Sequence, residues 1–469
     1  MNPSISSAFL AYFPKLSSTN YLLAAPTIIS GTPKKEVMLI NPNDPFFTDK
    51  NMEPDFSIDP KLLNDLQFIF KDILSGDPNA LKRPEYVGLN INQIKAALEF
   101  ILANEDLSDF QKDDLLSNSW RLNYRDRPPS AEEFVTEKYL GSVAPTLYPW
   151  VKEAFLDFLD PMKPYRTLVL YPYIGFGKSF TAVLINLFVA THLSMMRTPW
   201  KFFGLSPATV FTQVYCATSQ KKSSELLLEP MLNILGSSEF FEKVQRKDEM
   251  VARERDFERM DHIDRIFWTT AVPTSALQFS NGANFKLISS PNGLLGQTIV
   301  TGTMTELSFF FEAGRSDEWI FKFFSKLRGR IESRMKGNYF GRFVLDSSPN
   351  TLESVIDDWI VNDAPKNPSN YIVKGSRWKY AKGDFEEGTF DENGDPKPEK
   401  CFQVFVGGKG RMPEIIDPRS RTDYNDMDIL NVPDTLLNSS MKGMFEENIF
   451  EALKDQAGIP AGSSDKIFY

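Results

Sequence analysis

Ten residues at positions 171–180, YPYIGFGKSF, have the residue types of a phosphate-binding loop. In such a loop, backbone N–H groups at the start of a helix point at phosphate oxygens, and glycines let the backbone approach them. A lysine neutralises the terminal phosphates, and the serine or threonine after it ligates Mg²⁺. The residues that fit these roles are Gly175, Gly177, Lys178 and Ser179. The pattern predicts a site for ATP and Mg²⁺.

One residue of this segment departs from the pattern. Pro172 stands where the first glycine is usual. We expect proline to be tolerated there, because the first glycine mainly serves the entry of the turn, while Gly175 keeps backbone freedom nearer the phosphates. The alternative is a plain glycine turn with a lysine beyond it and no bound nucleotide.

Hydrolysis of a nucleotide also needs a carboxylate that orients the attacking water at the end of a neighbouring strand. Glu306 ends the strand-like run TIVTGTMTE and is the best candidate. A surface glutamate is the alternative, since acidic residues are common at strand ends. Thr305 precedes it, where most such enzymes carry an aspartate that holds Mg²⁺ through water. Without that charge-assisted hydrogen bond, metal affinity falls roughly 10- to 150-fold.

The elements that must position these residues are also visible in the sequence. Apolar residues predict a buried strand at 167–174 and a helix at 179–196, on either side of the loop. Further strands at 209–219 and 342–350 alternate with helical segments, which is typical of an α/β domain with a mostly parallel central sheet. The apolar helix contains several polar residues, so we predict that it is buried and does not span a membrane.

A β-hairpin is predicted at 276–288, ALQFSNGANFKLI, around the Asn-Gly pair. Leu277 and Phe279 share a face with Phe285 and Leu287 only if the loop contains an odd number of residues. We therefore expect a loop of three or five residues.

Two other polar groups accompany the predicted sheet. The last strand ends in Ser347, Ser348, Pro349 and Asn350. This turn either senses the γ-phosphate or only caps the strand. A helical stripe of Ile320, Phe324, Leu327 and Ile331 is accompanied by the arginines Arg328, Arg330 and Arg334. These arginines either form a solvated helix face or act as an arginine finger or a DNA contact.

Composition narrows the functional classes. The 469-residue chain is 42% hydrophobic and 24% charged, as expected for a globular protein of two or three domains. Two cysteines do not make a disulfide framework, and no Cys/His cluster indicates zinc, so a reducing cytoplasm is expected. The net charge of −10 argues against indiscriminate coating of nucleic acid and requires a local basic patch for any DNA contact.

The order of these motifs resembles that of the large terminase subunit of tailed bacteriophages, an ATP-driven motor that packages DNA. The resemblance covers about residues 115–360 and, more faintly, 400–462. The segments that carry it are SWRLNYRDRPPSAEEF, YLGSVAPTLYPWVKEAF, VYCATSQKKSSE, FSNGANFKLISSPNGLLGQTIVTGTMTELSFF, LRGRIESRMKGNYFGRFVLDSSPN and VPDTLLNSSMKGMFEENIFEALKDQAGIP.

The resemblance implies roles for individual residues. Lys178 and Glu306 would be catalytic, and Ser179 would ligate Mg²⁺. The nucleotide would be bound by Gly175, Phe176, Gly177, Lys178, Ser179 and Phe180, with its adenine at Tyr148 and Trp150. Ser347, Ser348, Pro349 and Asn350 would form the coupling motif. The family often has an arginine where this chain has Ile174, so the arginine-finger candidates are Arg166, Arg328, Arg330 and Arg334.

The resemblance also implies a fold and a division of the chain. The fold would be a P-loop NTPase of the additional-strand, catalytic-glutamate type at 141–360. Residues 1–140 would be a partly helical N-terminal extension, with helices near 60–75 and 91–104. Residues 361–469 would be a lid or linker subdomain in which the segments YIVKG and CFQVFVGG form strands.

The partners implied are double-stranded DNA, a portal protein, a small terminase subunit and further copies of the chain in a ring, without a membrane. The location implied is the cytoplasm of the infected bacterial host, at the procapsid portal. An RNase H-like nuclease would follow in this family, but no trio of strand-borne acidic residues follows position 460, so we do not predict nuclease activity. The alternatives are another nucleic-acid translocase, helicase-like, or a non-hydrolysing structural protein with a degenerate nucleotide loop.

Overall fold

The computed structural model describes part of the chain, and all structural statements concern that part. The described residues are 16–17, 20–21, 124, 127–161, 163–196, 199–203, 205–206, 208–243, 266–270, 276–279, 283–307, 310, 313–335, 339–349, 355–407, 411–417, 424 and 429–461. The predicted N-terminal helices near 60–75 and 91–104 lie outside these residues.

The described chain contains both strands and α-helices. The strands are β1 Leu16–Ser17, β2 Asn20–Tyr21, β3 Thr167–Pro172, β4 Phe211–Cys216, β5 Phe241–Lys243, β6 Ile266–Thr269, β7 Leu277–Phe279, β8 Asn284–Ile288, β9 Thr298–Thr305, β10 Arg342–Asp346, β11 Asn370–Gly375, β12 Cys401–Phe405, β13 Glu414–Ile415 and β14 Ile429–Pro433. The α-helices are α1 Ala131–Phe134, α2 Glu137–Leu140, α3 Pro149–Phe158, α4 Lys178–Met195, α5 Pro199–Phe202, α6 Gln220–Ser223, α7 Glu229–Ser237, α8 Asp317–Met335, α9 Val355–Asp358, α10 Arg377–Tyr380, α11 Met441–Glu447 and α12 Ile449–Ala452.

A nine-stranded sheet organises the main body, in the order β11-β3-β10-β9-β4-β8-β7-β6-β5. Only β7 runs against the other eight strands of this sheet, because it pairs antiparallel with both β8 and β6. Strand β10 lies between β3, which leads into the glycine loop, and β9, which ends beside Glu306. The fold class is thus α/β with a mostly parallel sheet. The additional strand of the predicted fold is β10, which lies between the strand that leads into the loop and the strand that ends at the glutamate.

Burial on both faces explains why the central strands are continuous apolar runs. All six residues of β3 and all six of β4 are buried. Parallel strands with helices on both sides expose neither face to water, so they lack the alternating pattern of half-exposed strands. Their carboxyl ends meet at one edge of the sheet, hereafter the carboxyl edge, and that edge positions the candidate site.

Helix α4 has the length and composition of a membrane span, but 89% of it is buried inside the protein. A polar network attaches it to the sheet. The Asn186 amide donates to Thr303 Oγ1 at 2.8 Å and accepts from Thr301 Oγ1 at 2.8 Å. Gln213 of β4 also donates to Thr301 Oγ1, at 2.6 Å. These bonds satisfy the polar groups that the helix carries into the core, and the prediction of a buried helix is confirmed.

The predicted hairpin is also confirmed. Leu277 pairs with Phe285, and the Phe279 amide donates to the Ala283 carbonyl at 2.8 Å. Three residues therefore lie between the paired ends, the shorter of the two expected loops. Leu277, Phe279 and Phe285 are all fully buried, as the odd loop length requires, and Leu287 is half-buried against the same core.

Helix α8 packs its predicted apolar stripe against β9. Leu327 and Ile331 are buried, and a side chain added at Gly302 of β9 would lie 2.8 Å from Leu327 Cδ1. Since the helix begins at the carboxyl edge and returns across the sheet, its last turns lie at the opposite, amino edge. This direction decides where its arginines lie.

A second, smaller hydrophobic core lies in the C-terminal part of the described chain. It is built around the three-stranded sheet β13-β12-β14 and helix α11, with Val404, Val432 and Met441 fully buried. The prediction that CFQVF forms a strand outside the main sheet is confirmed. The corresponding prediction for YIVKG is wrong, because β11 pairs in parallel with β3 at the edge of the main sheet.

His192 is fully buried near the end of α4 and is held as a neutral side chain. Its Nε2 donates to the Pro129 carbonyl at 2.9 Å, since a carbonyl can only accept, and its Nδ1 accepts from the Tyr124 hydroxyl at 3.3 Å. Burial lowers the pKa of His192 to about 3, although the bond to Pro129 opposes this.

This burial predicts a loss of stability in mild acid. The unfolded chain protonates His192 below about pH 6.5, whereas the folded chain keeps it neutral down to about pH 3. The contribution of neutral His192 to the free energy of unfolding is fully present above about pH 6.5 and is lost as the pH falls. Between pH 7 and pH 5 the expected decrease in the free energy of unfolding is about 2 kcal/mol. Urea titrations of the wild type and of His192→Gln at both pH values measure it. An equal pH dependence in both proteins would contradict the prediction.

Candidate nucleotide-binding site

The glycine loop joins β3 to α4 and contains the backbone conformations that its glycines predict. Gly175 has φ +97° and Gly177 has φ +94°, in the region that side-chain-bearing residues rarely adopt. At Gly177 a Cβ would also lie 2.9 Å from Val151 Cγ2. Both glycines are therefore required by the path of the loop into the N-terminus of α4.

Pro172 is accommodated because it lies before the turn begins. It is the last residue of β3 and pairs in register with Gly375 of β11. The next residue, Tyr173, donates its amide to the Gly375 carbonyl at 3.1 Å. Pro172 thus occupies an extended strand position, where the conformational freedom of glycine is not needed.

Lys178 opens α4 and is buried, with only 8% of its surface exposed. Its Nζ lies 3.3 Å from the Tyr173 carbonyl and 3.4 Å from the Pro172 carbonyl, so the ammonium group donates back to the loop. Burial lowers the pKa of Lys178. The carboxylates that oppose this are, in decreasing order, those of Asp346, Glu306 and Asp455. Lys178 is a buried cation whose hydrogen-bond acceptors are neutral carbonyl groups. An anion that entered the loop would replace these carbonyls as its partner.

Ser179 contacts a residue that the sequence did not single out. Its hydroxyl donates to Asp346 Oδ2 at 2.6 Å, and the Thr305 hydroxyl donates to the same oxygen at 2.8 Å. Asp346 and Thr305 are neighbours in register at the ends of β10 and β9. Burial raises the pKa of Asp346, whereas Lys178 and the two hydroxyl donors lower it.

Glu306 follows β9 in an unusual backbone conformation. Its φ is +56°, which makes it the one residue other than glycine with positive φ in the described chain. Such a conformation has a free-energy cost of about 1–3 kcal/mol and is often found at functional sites. The side chain is half-buried, and its charge acts on Lys178. The carboxylate predicted to orient water therefore lies at the same edge as the loop.

The aromatic pair predicted to hold adenine lies beside the loop. The Tyr148 and Trp150 rings stack with centroids 4.7 Å apart, and Tyr148 is 52% exposed. Trp150 Nε1 donates to the Phe176 carbonyl at 2.9 Å, which fixes the pair to the loop. The Phe176 side chain is fully buried, so only its backbone is available to a ligand, and Phe180 is half-buried.

The predicted coupling segment follows Asp346 at the carboxyl edge. Ser347 is buried, and its amide donates to the Leu170 carbonyl of β3 at 3.1 Å. Ser348 is half-buried and Pro349 is buried, while Asn350 lies outside the described residues. The segment is therefore bonded directly to the strand that leads into the loop.

The four arginine-finger candidates do not come near the loop of their own chain. Arg166 precedes β3 and so lies at the amino edge, a strand length away. Arg330 donates to the Gln297 carbonyl at 3.5 Å, just before β9 begins, and marks the same edge. Arg328 forms an ion pair with Glu332 at 2.6 Å, and Arg334 is exposed in the last turn of α8. The direction of β3 and α8 keeps these residues away from the loop of their own chain, and their role as arginine fingers stays a prediction.

An arginine that the sequence analysis did not consider does lie at the carboxyl edge. Arg315 is exposed between Glu306 and the start of α8, and its guanidinium lies 4.9 Å from the centroid of the Trp319 ring. The only sequence signal for it was its place after the glutamate strand.

The C-terminal part of the chain contacts the loop directly. The Ile174 amide donates to the Asp455 carbonyl at 3.0 Å. Gly458 has φ +67°, and a Cβ there would lie 2.6 Å from the Gly375 carbonyl and 3.1 Å from the Tyr173 amide nitrogen. The Tyr380 ring meets the Phe176 ring edge-on at 5.0 Å. The loop is therefore covered on one side by residues after 370.

The residues at the carboxyl edge suit Mg²⁺ better than a metal with a full protein cage. The described residues contain no group of three or more His, Cys, Asp or Glu side chains that could hold a metal. Mg²⁺ needs few protein ligands, because it keeps water and binds substrate phosphates. Ser179 Oγ lies at the helix N-terminus, and Asp346 Oδ1 is buried without a hydrogen-bond partner among the described residues.

Comparisons with known proteins give likenesses among solved structures alone. No family model and no curated protein matches the chain. Among solved structures, a mutant of the large terminase ATPase domain of Thermus phage P74-26 is similar, with 13% identity and a TM-score of 0.25. The match covers 46% of this chain and 78% of that one. A likeness of this size carries no argument about activity, and the fold class stands on the strand order and the glycine loop.

Proposed function

We propose that this protein is an ATPase that cleaves ATP to ADP and phosphate with the help of Mg²⁺. The observation that carries the proposal is the convergence of the glycine loop, Lys178 and Glu306 at one edge of one sheet. Converging N–H groups, a lysine and a water-orienting carboxylate are the parts that phosphoanhydride hydrolysis requires. The charges of Glu306 and Asp346 both act on Lys178, which supports a single site.

Each of these residues has a defined task in the proposal. Backbone N–H groups from Gly175 to Ser179 would bind the phosphate oxygens at the N-terminus of α4. Lys178 would exchange its contacts with loop carbonyls for contacts with the β- and γ-phosphates. Ser179 would hold Mg²⁺ through its hydroxyl oxygen, and when bound this ion neutralises charge on the phosphates. Tyr148 and Trp150 would stack against the adenine.

Glu306 would act on the attacking water. Its carboxylate accepts a hydrogen bond from that water and turns the oxygen lone pair towards the γ-phosphorus. As the new oxygen–phosphorus bond forms, a proton of the water passes to the Glu306 carboxylate. The bond between the γ-phosphorus and the ADP oxygen breaks with its electron pair left on ADP, and Lys178 stabilises the developing charge. The strained backbone at Glu306 supports this task, because it fixes the direction of the side chain.

We further propose that hydrolysis drives double-stranded DNA into a viral procapsid, as in a terminase large subunit. The order of motifs over about 115–360 supports this part. The chain would act as a ring on the portal protein, with the small terminase subunit, in the cytoplasm of the infected bacterial host. Residues after 360 would serve as a lid, which their contacts with the loop support.

Assembly in a ring fits the position of the arginines. The candidates Arg166, Arg328, Arg330 and Arg334 lie away from the loop of their own chain, whereas an exposed arginine of one copy can reach the site of the next. Arginines supplied by a neighbouring chain accelerate phosphoryl transfer by about 10³- to 10⁵-fold. We therefore expect weak ATPase activity from an isolated copy.

The test is ATP turnover by the purified protein with Mg²⁺, with and without linear double-stranded DNA, followed by phosphate release. A second arm adds procapsids bearing the portal and the small subunit, and measures DNA that becomes protected from added nuclease. We expect turnover that rises with DNA, and ATP-dependent protection.

Two results would contradict the proposal. A protein that releases no phosphate under any of these conditions is not an ATPase. A protein that hydrolyses ATP, unwinds a forked duplex and never protects DNA is a helicase-like translocase, and the packaging part is then wrong.

A further inference from the structure

We propose that Asp346, on β10, supplies the Mg²⁺-site carboxylate that the chain lacks at Thr305 of β9. The inference rests on the proposed function and adds to it a metal-site residue. It concerns the residue that the cation, or a water bound to it, would contact beside Ser179.

The two oxygens of Asp346 differ in a way that points to a ligand. Oδ2 accepts from both Ser179 and Thr305, whereas Oδ1 is buried with no hydrogen-bond partner in the described chain. A buried polar atom without a partner is unfavourable by about 1–3 kcal/mol, and more for a charged group. Such an atom in a native structure calls for an explanation, and contact with a bound ion or water is a usual one. Here the oxygen belongs to a carboxylate that also contacts the hydroxyl expected to ligate Mg²⁺.

The hydrogen-bond directions also suit a cation. Because Ser179 donates its proton to Asp346, its oxygen lone pairs are left for another partner. Thr305 likewise donates to Asp346 and fixes the carboxylate from the other side. Hydroxyl and carboxylate oxygens are the ligands that Mg²⁺ prefers.

The strand order explains why a carboxylate on β10 can serve the site in place of one on β9. Adjacent strands lie about 4.8 Å apart, and β10 is the direct neighbour of β3. A carboxylate at the end of β10 is therefore one strand nearer the loop than one at the end of β9, and it reaches Ser179 at 2.6 Å.

The same geometry explains the threonine. Asp346 and Thr305 are aligned neighbours, so an aspartate at 305 would place two carboxylates side by side in a buried place. Like charges so close disfavour each other. A hydroxyl at 305 avoids this repulsion and gives Asp346 a donor. Thr305 and Asp346 have thus exchanged places relative to the usual arrangement: the hydroxyl is on β9 and the carboxylate is on β10.

The test measures metal binding without relying on turnover. Mn²⁺ is titrated into the protein with ADP and followed by electron paramagnetic resonance, and the affinity for ADP is measured in Mg²⁺ and in EDTA. For Asp346→Asn we expect Mn²⁺ affinity to fall about 10- to 100-fold, the loss typical when a metal-site partner is removed. ADP affinity in EDTA should stay unchanged. A merely structural role would leave the difference between Mg²⁺ and EDTA intact.

A swapped variant, Thr305→Asp with Asp346→Thr, is the matched control. It returns the carboxylate to β9 and should recover most of the Mn²⁺ affinity lost in Asp346→Asn. If Asp346→Asn does not fold, the swapped variant decides. Metal-dependent ADP binding by a folded swap supports the exchange of Thr305 and Asp346, and a folded swap without it overturns that exchange.

The outcomes separate this inference from the proposed function. Wild-type Mn²⁺ affinity in folded Asp346→Asn overturns the role of Asp346 and leaves the ATPase proposal standing. If the wild type binds no ADP in Mg²⁺, Mn²⁺ or EDTA, the nucleotide site itself is wrong, and the role of Asp346 fails with it.

Discussion

Replacing Lys178 by alanine is expected to lower ATP turnover by at least about 10³-fold, the scale on which phosphate-neutralising groups act. The side chain is buried at the start of α4, and the charges of Asp346, Glu306 and Asp455 act on it. Nucleotide affinity should fall by roughly 10- to 150-fold, since charge-assisted hydrogen bonds to the phosphates are lost. Phosphate release and equilibrium binding of ADP measure the two effects.

The matched control is Lys152→Ala. Lys152 lies on α3 near the loop but is exposed, and its replacement should leave turnover within a few fold of wild type. Thermal unfolding of both variants establishes that they are folded. A Lys178→Ala protein that is folded and turns over ATP as fast as Lys152→Ala would show that the loop does not bind the substrate.

Replacing Glu306 by glutamine is expected to separate binding from hydrolysis. Turnover should fall about 10²- to 10⁴-fold, because the amide keeps the shape of the side chain but is a poor acceptor for the water proton. Nucleotide affinity should change little, since Glu306 contacts water and not the phosphates. The expected product is a protein that retains ATP, measured by trapping labelled nucleotide and analysing it for ADP.

Glu318→Gln provides the comparison for this variant. Glu318 is exposed in the first turn of α8, beyond the same connection, and should not affect hydrolysis. Equal rates in Glu306→Gln and Glu318→Gln would assign the water-orienting role to another residue. Loss of nucleotide binding in Glu306→Gln would instead indicate a structural role for the strained turn.

The local parts of the site could be predicted from the sequence. The strand, the glycine loop and the helix are contiguous, so apolar runs and two glycines were enough to predict β3, the turn and α4. The place of Glu306 followed from the end of an apolar strand. Each of these inferences needed only neighbouring residues.

The non-local parts could not be predicted in the same way. Asp346 is 167 positions from Ser179, and its role depends on β10 lying between β3 and β9. An aspartate at the end of a strand looks like any other until the strand order is known. The position of the α8 arginines relative to the loop could not be predicted for a similar reason, because the period of a helix does not show in which direction it crosses the sheet. The strand YIVKG was assigned to the wrong sheet because nothing local distinguishes an edge strand of one sheet from that of another.

The attachment of the loop to the C-terminal part has a mechanical consequence. Two main-chain hydrogen bonds hold adjacent residues of the loop: Tyr173 donates to Gly375 of β11 in the main sheet, and Ile174 donates to Asp455, between residues of the second hydrophobic core. Replacing a side chain does not remove these hydrogen bonds, because their donors and acceptors are main-chain groups. A displacement of the loop must either rupture both, at about 1 kcal/mol net each, or pull the attached segments along with it. A movement of the loop that keeps the Ile174–Asp455 bond therefore also moves the segment around Asp455, which packs in the second hydrophobic core.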